Sequence, residues 1–318
     1  MPTEMSGLAT LSDQLVLAAV LLYVFAMIGY ALDLGFGRVR AAAATVPARK
    51  LVAVGAGGAA ESAPESPSAR AEGPEPPAWA ARAAVAAVAL SWLGWAANLG
   101  AIVARGLAVG RWPWGNMYEF VVAICFAAVS AFLVMQIRQP VRFLGAFVSL
   151  AAALGLGFAV RYLHVQAGPV VPALKSYWIA IHVTAAILAA GLFILAGVAG
   201  ILFLVRKEGP SRLPSRADLE RVAHQAIVIA FPIWTFAVIA GALWADKAWG
   251  RYWGWDPKEV WSFITWIAYA AYLHAKATAG WKGKAATIVQ LVAFGCLIFN
   301  LVGVNIFLSG LHSYAQVP

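Results

Sequence analysis

Eight apolar stretches divide the chain, at about 12–36, 80–107, 117–137, 141–161, 177–205, 225–245, 259–279 and 285–309. Each has the roughly 20 residues that a helix needs to cross the hydrocarbon of a bilayer. No other feature restricts the fold as strongly. In lipid every backbone polar group must be paired internally, so a spanning segment is a helix or part of a closed barrel. The expected fold is therefore all-α, a polytopic transmembrane bundle of about eight spans. Composition agrees: 62% of the 318 residues are hydrophobic and 12% charged, against about 45–50% and about 25% in soluble domains. The first stretch reads as a retained helix. Its leading residues carry Glu4 and Asp13 but no Lys or Arg, whereas a cleaved signal starts basic.

Between the first two spans, "AAESAPESPSARAEGPEPP" typifies a segment rich in Ala, Pro, Glu, Ser and Gly. It has little to bury and is expected to be a disordered cytoplasmic linker over 38–79. The chain then divides into a first helix (1–37), this linker, and a seven-helix domain (80–318) carrying an external Trp-rich segment at 244–266. No internal repeat is visible. Cys125 and Cys296 are the only cysteines and lie in apolar stretches, where a thiol packs as a small hydrophobe. With no CxxC and no CxxCH, the chain is neither a thioredoxin-like reductant nor itself a c-type cytochrome.

Basic residues set a direction. The seven at positions Arg105, Arg111, Arg161, Lys175, Lys247, Arg251 and Lys258 fall in one set of alternate loops, and the other sixteen of the 23 in the opposite set. The positive-inside rule places the sixteen in the cytoplasm and both termini outside. The net charge of +9 is then a membrane feature and gives no reason to expect nucleic acid.

"WGRYWGWDPKEVWSFITW" (249–266) holds five tryptophans in eighteen residues on the expected outer side. Asp256-Pro257-Lys258-Glu259 inside it reads as a helix start: Asp for the cap, Pro for the first position, Glu to close a capping box. The tryptophans have two readings. An aromatic belt at the bilayer interface explains one or two per helix end. Trp244, Trp249, Trp253, Trp255, Trp261 and Trp266 exceed that, and Gly250 and Gly254 let a flat ligand approach the backbone, so a platform for such a ligand is the other reading.

Five histidines accompany them. His182 and His312 should lie level with the Trp-rich loop, on different helices. His274 lies deeper, in the seventh span; His164 and His224 have no assigned role. One histidine is commonly a hydrogen-bonded core residue. Two facing one aromatic platform suit the axial positions of a haem iron, with Arg111, Lys247, Arg251 and Lys258 as possible propionate contacts. No HExxH or Cys cluster suggests zinc. Asn116, Tyr118 and Glu119 open the third span as cap and interfacial anchors, or alternatively contact the ligand or a partner. Asn300 and Asn305 read as interhelical hydrogen-bonding residues.

"WGRYWGWDPKEVWSFITWIAYAAYLHAKATAGWKG" followed by "VNIFLSGLHSYA", with "NMYEF" and "VPALKSYWIAIHV" upstream, resembles the CcsA/ResC family of System II cytochrome c biogenesis, which carries the WWD domain. The resemblance covers roughly 80–318. It implies a haem lyase (holocytochrome c synthase) component working with a ResB-type membrane partner in a bacterial plasma membrane. It implies haem b as both cargo and bound ligand, apocytochrome c with its CxxCH as the acceptor, and a thioredoxin-like pathway supplying reduced thiols. His182 and His312 match the family's external axial pair, and His274 its intramembrane haem ligand. No catalytic side chain beyond these positioning residues is expected. A haem permease or chaperone that forms no thioether shares the same domain. A b-type electron-transfer cytochrome would place its histidine pairs in the hydrophobic core, and a transporter would show repeat symmetry or broken helices.

Overall fold

A computed structural model describes residues 2–36, 77–207, 209 and 211–312. It is all-helical over these residues, and the linker expected at 38–79 falls almost wholly outside them. Eight long helices run in chain order: α1 (Pro2–Phe36), α2 (Ala78–Val109), α3 (Met117–Arg138), α4 (Gly145–Phe158), α5 (Tyr177–Val205), α6 (Arg216–Trp249), α7 (Pro257–Ala277) and α8 (Gly283–Ile298). π-Helical turns extend α4 (Ala159–Leu163) and α8 (Phe299–Gly303), and a last short turn, α9, spans Val304–Phe307. Seven of the helical segments are long and apolar enough to cross a membrane. The exception is α7, whose 21 residues include Lys258, Glu259, His274 and Lys276. It packs against α8 and α6 within the same bundle.

Small residues set how closely the helices approach. On α2, Ala80, Ala84, Ala87, Ser91, Gly94, Asn98, Ala101, Arg105 and Ala108 are buried, spaced alternately four and three apart. On α1, Ser12, Val16, Ala19, Tyr23, Ala26 and Tyr30 follow the same rhythm. Alternating steps of four and three keep one seam facing a partner helix, and these two long helices lie against each other. A Cβ placed on Gly94 would fall 2.7 Å from the Tyr23 ring, and one on Gly145 2.6 Å from Tyr30. Glycine is therefore needed at both crossings, and Gly145→Ala would overpack the site at about 1–3 kcal/mol. Gly191 meets the α3 backbone at Ala127 in the same way. Gln290 of α8 ties to α5 by donating to the Ala196 carbonyl at 2.7 Å, the type of interhelical bond expected where lipid supplies no partner.

Helix ends are capped by short side chains. Asn116 accepts from the Glu119 N–H at 2.9 Å, Ser215 from Asp218 at 3.1 Å and Ser176 from Trp178 at 3.3 Å. Between α2 and α3, the buried Glu119 carboxylate holds Arg105 at 3.2 Å, Arg111 at 2.9 Å and the Gly115 N–H at 2.7 Å. This network pins the 110–116 loop. Arg105 also donates to the Val165 carbonyl, and Asp13 of α1 accepts from Tyr118 at 3.2 Å and meets His164 at 3.1 Å. The end of the bundle holding these loops also holds the α6–α7 connection and His312.

Candidate functional site

The antiparallel contact of α5 and α6 brings the second turn of α5 beside the last two turns of α6. His182 there lies over Gly241, where a Cβ would meet the imidazole at 2.7 Å. Its ring is nearly parallel to that of Trp244, with centroids 6.0 Å apart and 9° between planes. Trp244 is 2% exposed and packs edge-on to Trp249 at 4.8 Å. Gly250 then ends α6 in the left-handed conformation (φ 71°) and turns the chain into the connection. Trp255, also left-handed at φ 57°, closes it. A bulky residue rarely adopts that backbone; here it directs Trp255 outward, 67% exposed.

Asp256 opens α7. With Pro257 in the first turn, its carboxylate accepts the Lys258 N–H at 3.1 Å, and Glu259 reaches back to the N–H groups of Asp256 at 3.1 Å and Gly254 at 2.8 Å. The same Asp256 side chain receives the Leu311 N–H at 2.6 Å and His312 Nδ1 at 2.8 Å. One buried carboxylate thus caps α7 and holds the segment after α9. His312 is set edge-on to Trp249 at 5.2 Å and to Trp244 at 5.8 Å.

The two histidines open into one cleft. One part is lined by His182, Trp244, Trp249, Tyr252, Trp253 and His312, among others. A second, adjoining part adds Trp114, Phe120, Asn300 and Asn305 and shares His182, Trp234, Trp244, Lys258, Ser262 and His312.

The nitrogens are defined by their bonds. His182 Nδ1 donates to the Ala237 carbonyl at 2.7 Å, which accepts only, so the neutral ring keeps its lone pair on Nε2. His312 Nδ1 donates to the Asp256 carboxylate. Metal-binding histidines are oriented in this way, by carbonyl or carboxylate on the second nitrogen. Burial alone would raise the Asp256 carboxyl. The hydrogen bonds from His312 and from the Leu311 and Lys258 N–H groups outweigh it and hold the group below the ordinary carboxylate range.

Not every candidate from the sequence gathers here. Trp261 packs on Phe299 at 4.2 Å. Trp266 packs on Phe231 and donates to Thr235 at 2.9 Å. Both lie on the α7 body away from the cleft, as helix packing. Trp255 meets Trp253 edge-on and does not line it. Of the four cations, Lys258 alone lines the cleft. Arg111 is engaged with Glu119, Lys247 pairs with Asp246 at 3.1 Å, and exposed Arg251 lies over Gly254. Asn116, Tyr118 and Glu119 order the third helix start, and Asn116 also borders the second part of the cleft. His274 is exposed on α7, about 27 Å along the helix from Asp256 at 1.5 Å per residue. His224 faces Tyr272 at 3.4 Å. Asn300 and Asn305 do bond between segments, to Ser262 at 3.1 Å and to the Met117 sulfur at 3.3 Å. Trp114 and Trp234 line the cleft without having been singled out. Trp114 lies far in sequence from the Trp-rich stretch, and Trp234 lies ten residues before it on α6, so the folded bundle is what shows them lining one space.

Residues 114–312, which contain every lining residue named above, match the family of cytochrome C assembly proteins. The chain belongs to the cytochrome c assembly family. Its role is in cytochrome c biogenesis. Among its relatives, the cytochrome c biogenesis protein CcsA of Chlamydomonas reinhardtii is 34% identical over 216 residues, covering 64% of this chain and 61% of that protein. That of Synechococcus elongatus is 32% identical over 272 residues, covering 69% and 83%. Among solved structures, the cytochrome c haem lyase CcmF superposes with a TM-score of 0.63 at 16% identity, over 92% of this chain and 46% of that one. At that identity the likeness is one of fold. The family match begins inside the 110–116 loop and leaves out α1 and α2, which pack against α4 and α3 of the matched part.

Proposed function

We propose that this cleft holds haem b, as cargo, between His182 and His312 at the extracytoplasmic face of a bacterial plasma membrane, and presents it to the CxxCH of an apocytochrome c. The observation that carries this reading is the pair of imidazoles on separate elements, each tied through Nδ1 and both lining one tryptophan-lined cleft. Trp244, Trp249 and Trp253 supply the apolar wall that a porphyrin needs. The charge asymmetry of the loops supports the outward orientation.

In this reading the chain contributes position. Each thioether forms when a cysteine S–H adds across a haem vinyl, sulfur to one carbon and hydrogen to the other. Holding both vinyls in place for two thiols converts an encounter of two molecules into an effectively unimolecular step. The histidine of the incoming CxxCH replaces one of the two ligands. His312 suits that exchange, because it is held by a short segment through Asp256, whereas His182 is built into α5. His274, remote from the cleft, fits an earlier haem site completed by a ResB-type partner. Reduced thiols come from a thioredoxin-like pathway, since this chain has no cysteine pair. Replacing His182 and His312 together by Ala should abolish covalent cytochrome c in cells while the membrane protein accumulates normally; undiminished cytochrome c would end the proposal.

A further inference from the structure

The second part of the cleft contains polar groups that axial ligation does not use. Asn300 stands in the π-helical turn Phe299–Gly303 and is 2% exposed. π-Helical turns are often found at functional sites. Its Nδ2 donates to Ser262 Oγ at 3.1 Å. The Ser262 hydrogen is itself committed to the Lys258 carbonyl at 2.7 Å, so Ser262 can only accept from Asn300. That fixes the amide, and its Oδ1 is left buried with no hydrogen-bond partner among the described residues. Trp114, which lines the same space, has a buried indole N–H that likewise lacks one. Lys258 Nζ, also lining it, donates to the Asn300 backbone carbonyl at 2.7 Å.

An unpaired acceptor two percent exposed is costly unless a ligand satisfies it. Burial lowers the pKa of Lys258 to about 7, so its amine can stand neutral beside an acid that keeps its proton. The set asks for a ligand group with an oxygen to accept from the Lys258 amine and the indole, and an O–H to donate to an amide oxygen. An ionised carboxylate would set its lone pairs against Asn300 Oδ1. A carboxylic acid retaining its proton meets every requirement.

We propose that Lys258, Asn300 and Trp114 form a carboxyl subsite that takes one propionic acid arm of the porphyrin. This rests on the haem reading above and deepens it by fixing where one porphyrin edge lies. The propionate edge then lies among Lys258, Asn300 and Trp114 in the second part, and the vinyl edge lies toward the first, which Tyr252 and Trp253 line. These three are positioning residues: they decide which carbons an incoming thiol meets.

The test uses the full chain purified in detergent, titrated with ferric haem and with ferric haem dimethyl ester and followed in the Soret band. The ester has the same iron and vinyls but no acid proton. The wild type should bind the free acid about 10-fold or more tightly than the ester, which leaves the buried Asn300 Oδ1 unpaired. Lys258→Met and Asn300→Leu should each remove most of that preference, with ester affinity and its bis-histidine spectrum unchanged, which also shows that the variants are folded. Equal affinity of the wild type for both porphyrins, with a spectrum that depends on His182 and His312, would overturn the carboxyl subsite and leave haem binding standing. No histidine-dependent spectrum with either porphyrin would overturn both.

Discussion

Asp256 carries two burdens at once, and removing its side chain separates them. Asp256→Ala deletes the cap of α7, worth about 1 kcal/mol. It also deletes the buried carboxylate that accepts from His312 and the Leu311 N–H, where a hydrogen bond to a charged group is worth about 1.5–3 kcal/mol. Because the bonds share one side chain they do not add in full, and a loss of about 2–4 kcal/mol follows. Asp256→Asn keeps an oxygen for the cap and should lose less than half as much. Both substitutions release His312 from its fixed orientation, so both should weaken haem binding by about 10–100-fold, the usual effect of removing a group behind a metal ligand. Thermal unfolding in detergent and haem titration on the same three proteins measure the two effects. An Asp256→Ala protein that binds haem as tightly as wild type would refute the assignment of His312 as a ligand held through Asp256. The depressed carboxyl also sets a pH dependence. A group held below its unfolded value stabilises fully above that value, about 3.9 for Asp, and the contribution is lost as pH falls through the lower folded value. Hydrogen-exchange protection at the Leu311 amide should therefore be constant from about pH 7 to about pH 5 and disappear only below about pH 3.9; loss already at pH 5 to 6 would contradict the direction of the shift.

Three further outcomes follow from other parts of the structure. Glu119→Ala removes the buried carboxylate that holds buried Arg105 and half-buried Arg111 and should cost about 3–5 kcal/mol, read as a lowered unfolding temperature; an unchanged one would mean the network is dispensable. Gly241→Ala places a methyl 2.7 Å from the His182 ring and should disturb the bis-histidine spectrum at a cost of about 1–3 kcal/mol, whereas a wild-type spectrum would show that the ring has room to move. Trp255→Gly removes a side chain held in the left-handed region and should raise stability by about 1 kcal/mol without changing the haem spectrum; a lost spectrum would place Trp255 in the platform after all.

The sequence shows the parts of this molecule that are local. Span length marks the helices, and Asp256-Pro257-Lys258-Glu259 marks the start of α7, because a capping box is closed within four residues. The small-residue seam of α1 and α2 has a regular spacing, yet its pairing is set by shape between distant segments. The Trp-rich stretch was a poor guide to which indoles line the cleft. A helix distributes neighbours around its axis, so Trp261 and Trp266 turn to α8 and α6 while Trp114 and Trp234 arrive from elsewhere. Basic residues were equally ambiguous: Arg111 looked available until Glu119, eight residues later, was seen to close on it. The clasp between Asp256 and His312 joins positions 56 apart, and only the fold reports it.

The most direct test is the absorption spectrum of the purified full chain, oxidised and then reduced with dithionite, beside that of the His182→Ala/His312→Ala protein. Haem held between two imidazoles predicts a b-type spectrum in the wild type that is lost in the double variant. The same spectrum in both proteins, or haem in neither while cytochrome c still matures, would contradict an external bis-histidine haem site in this chain.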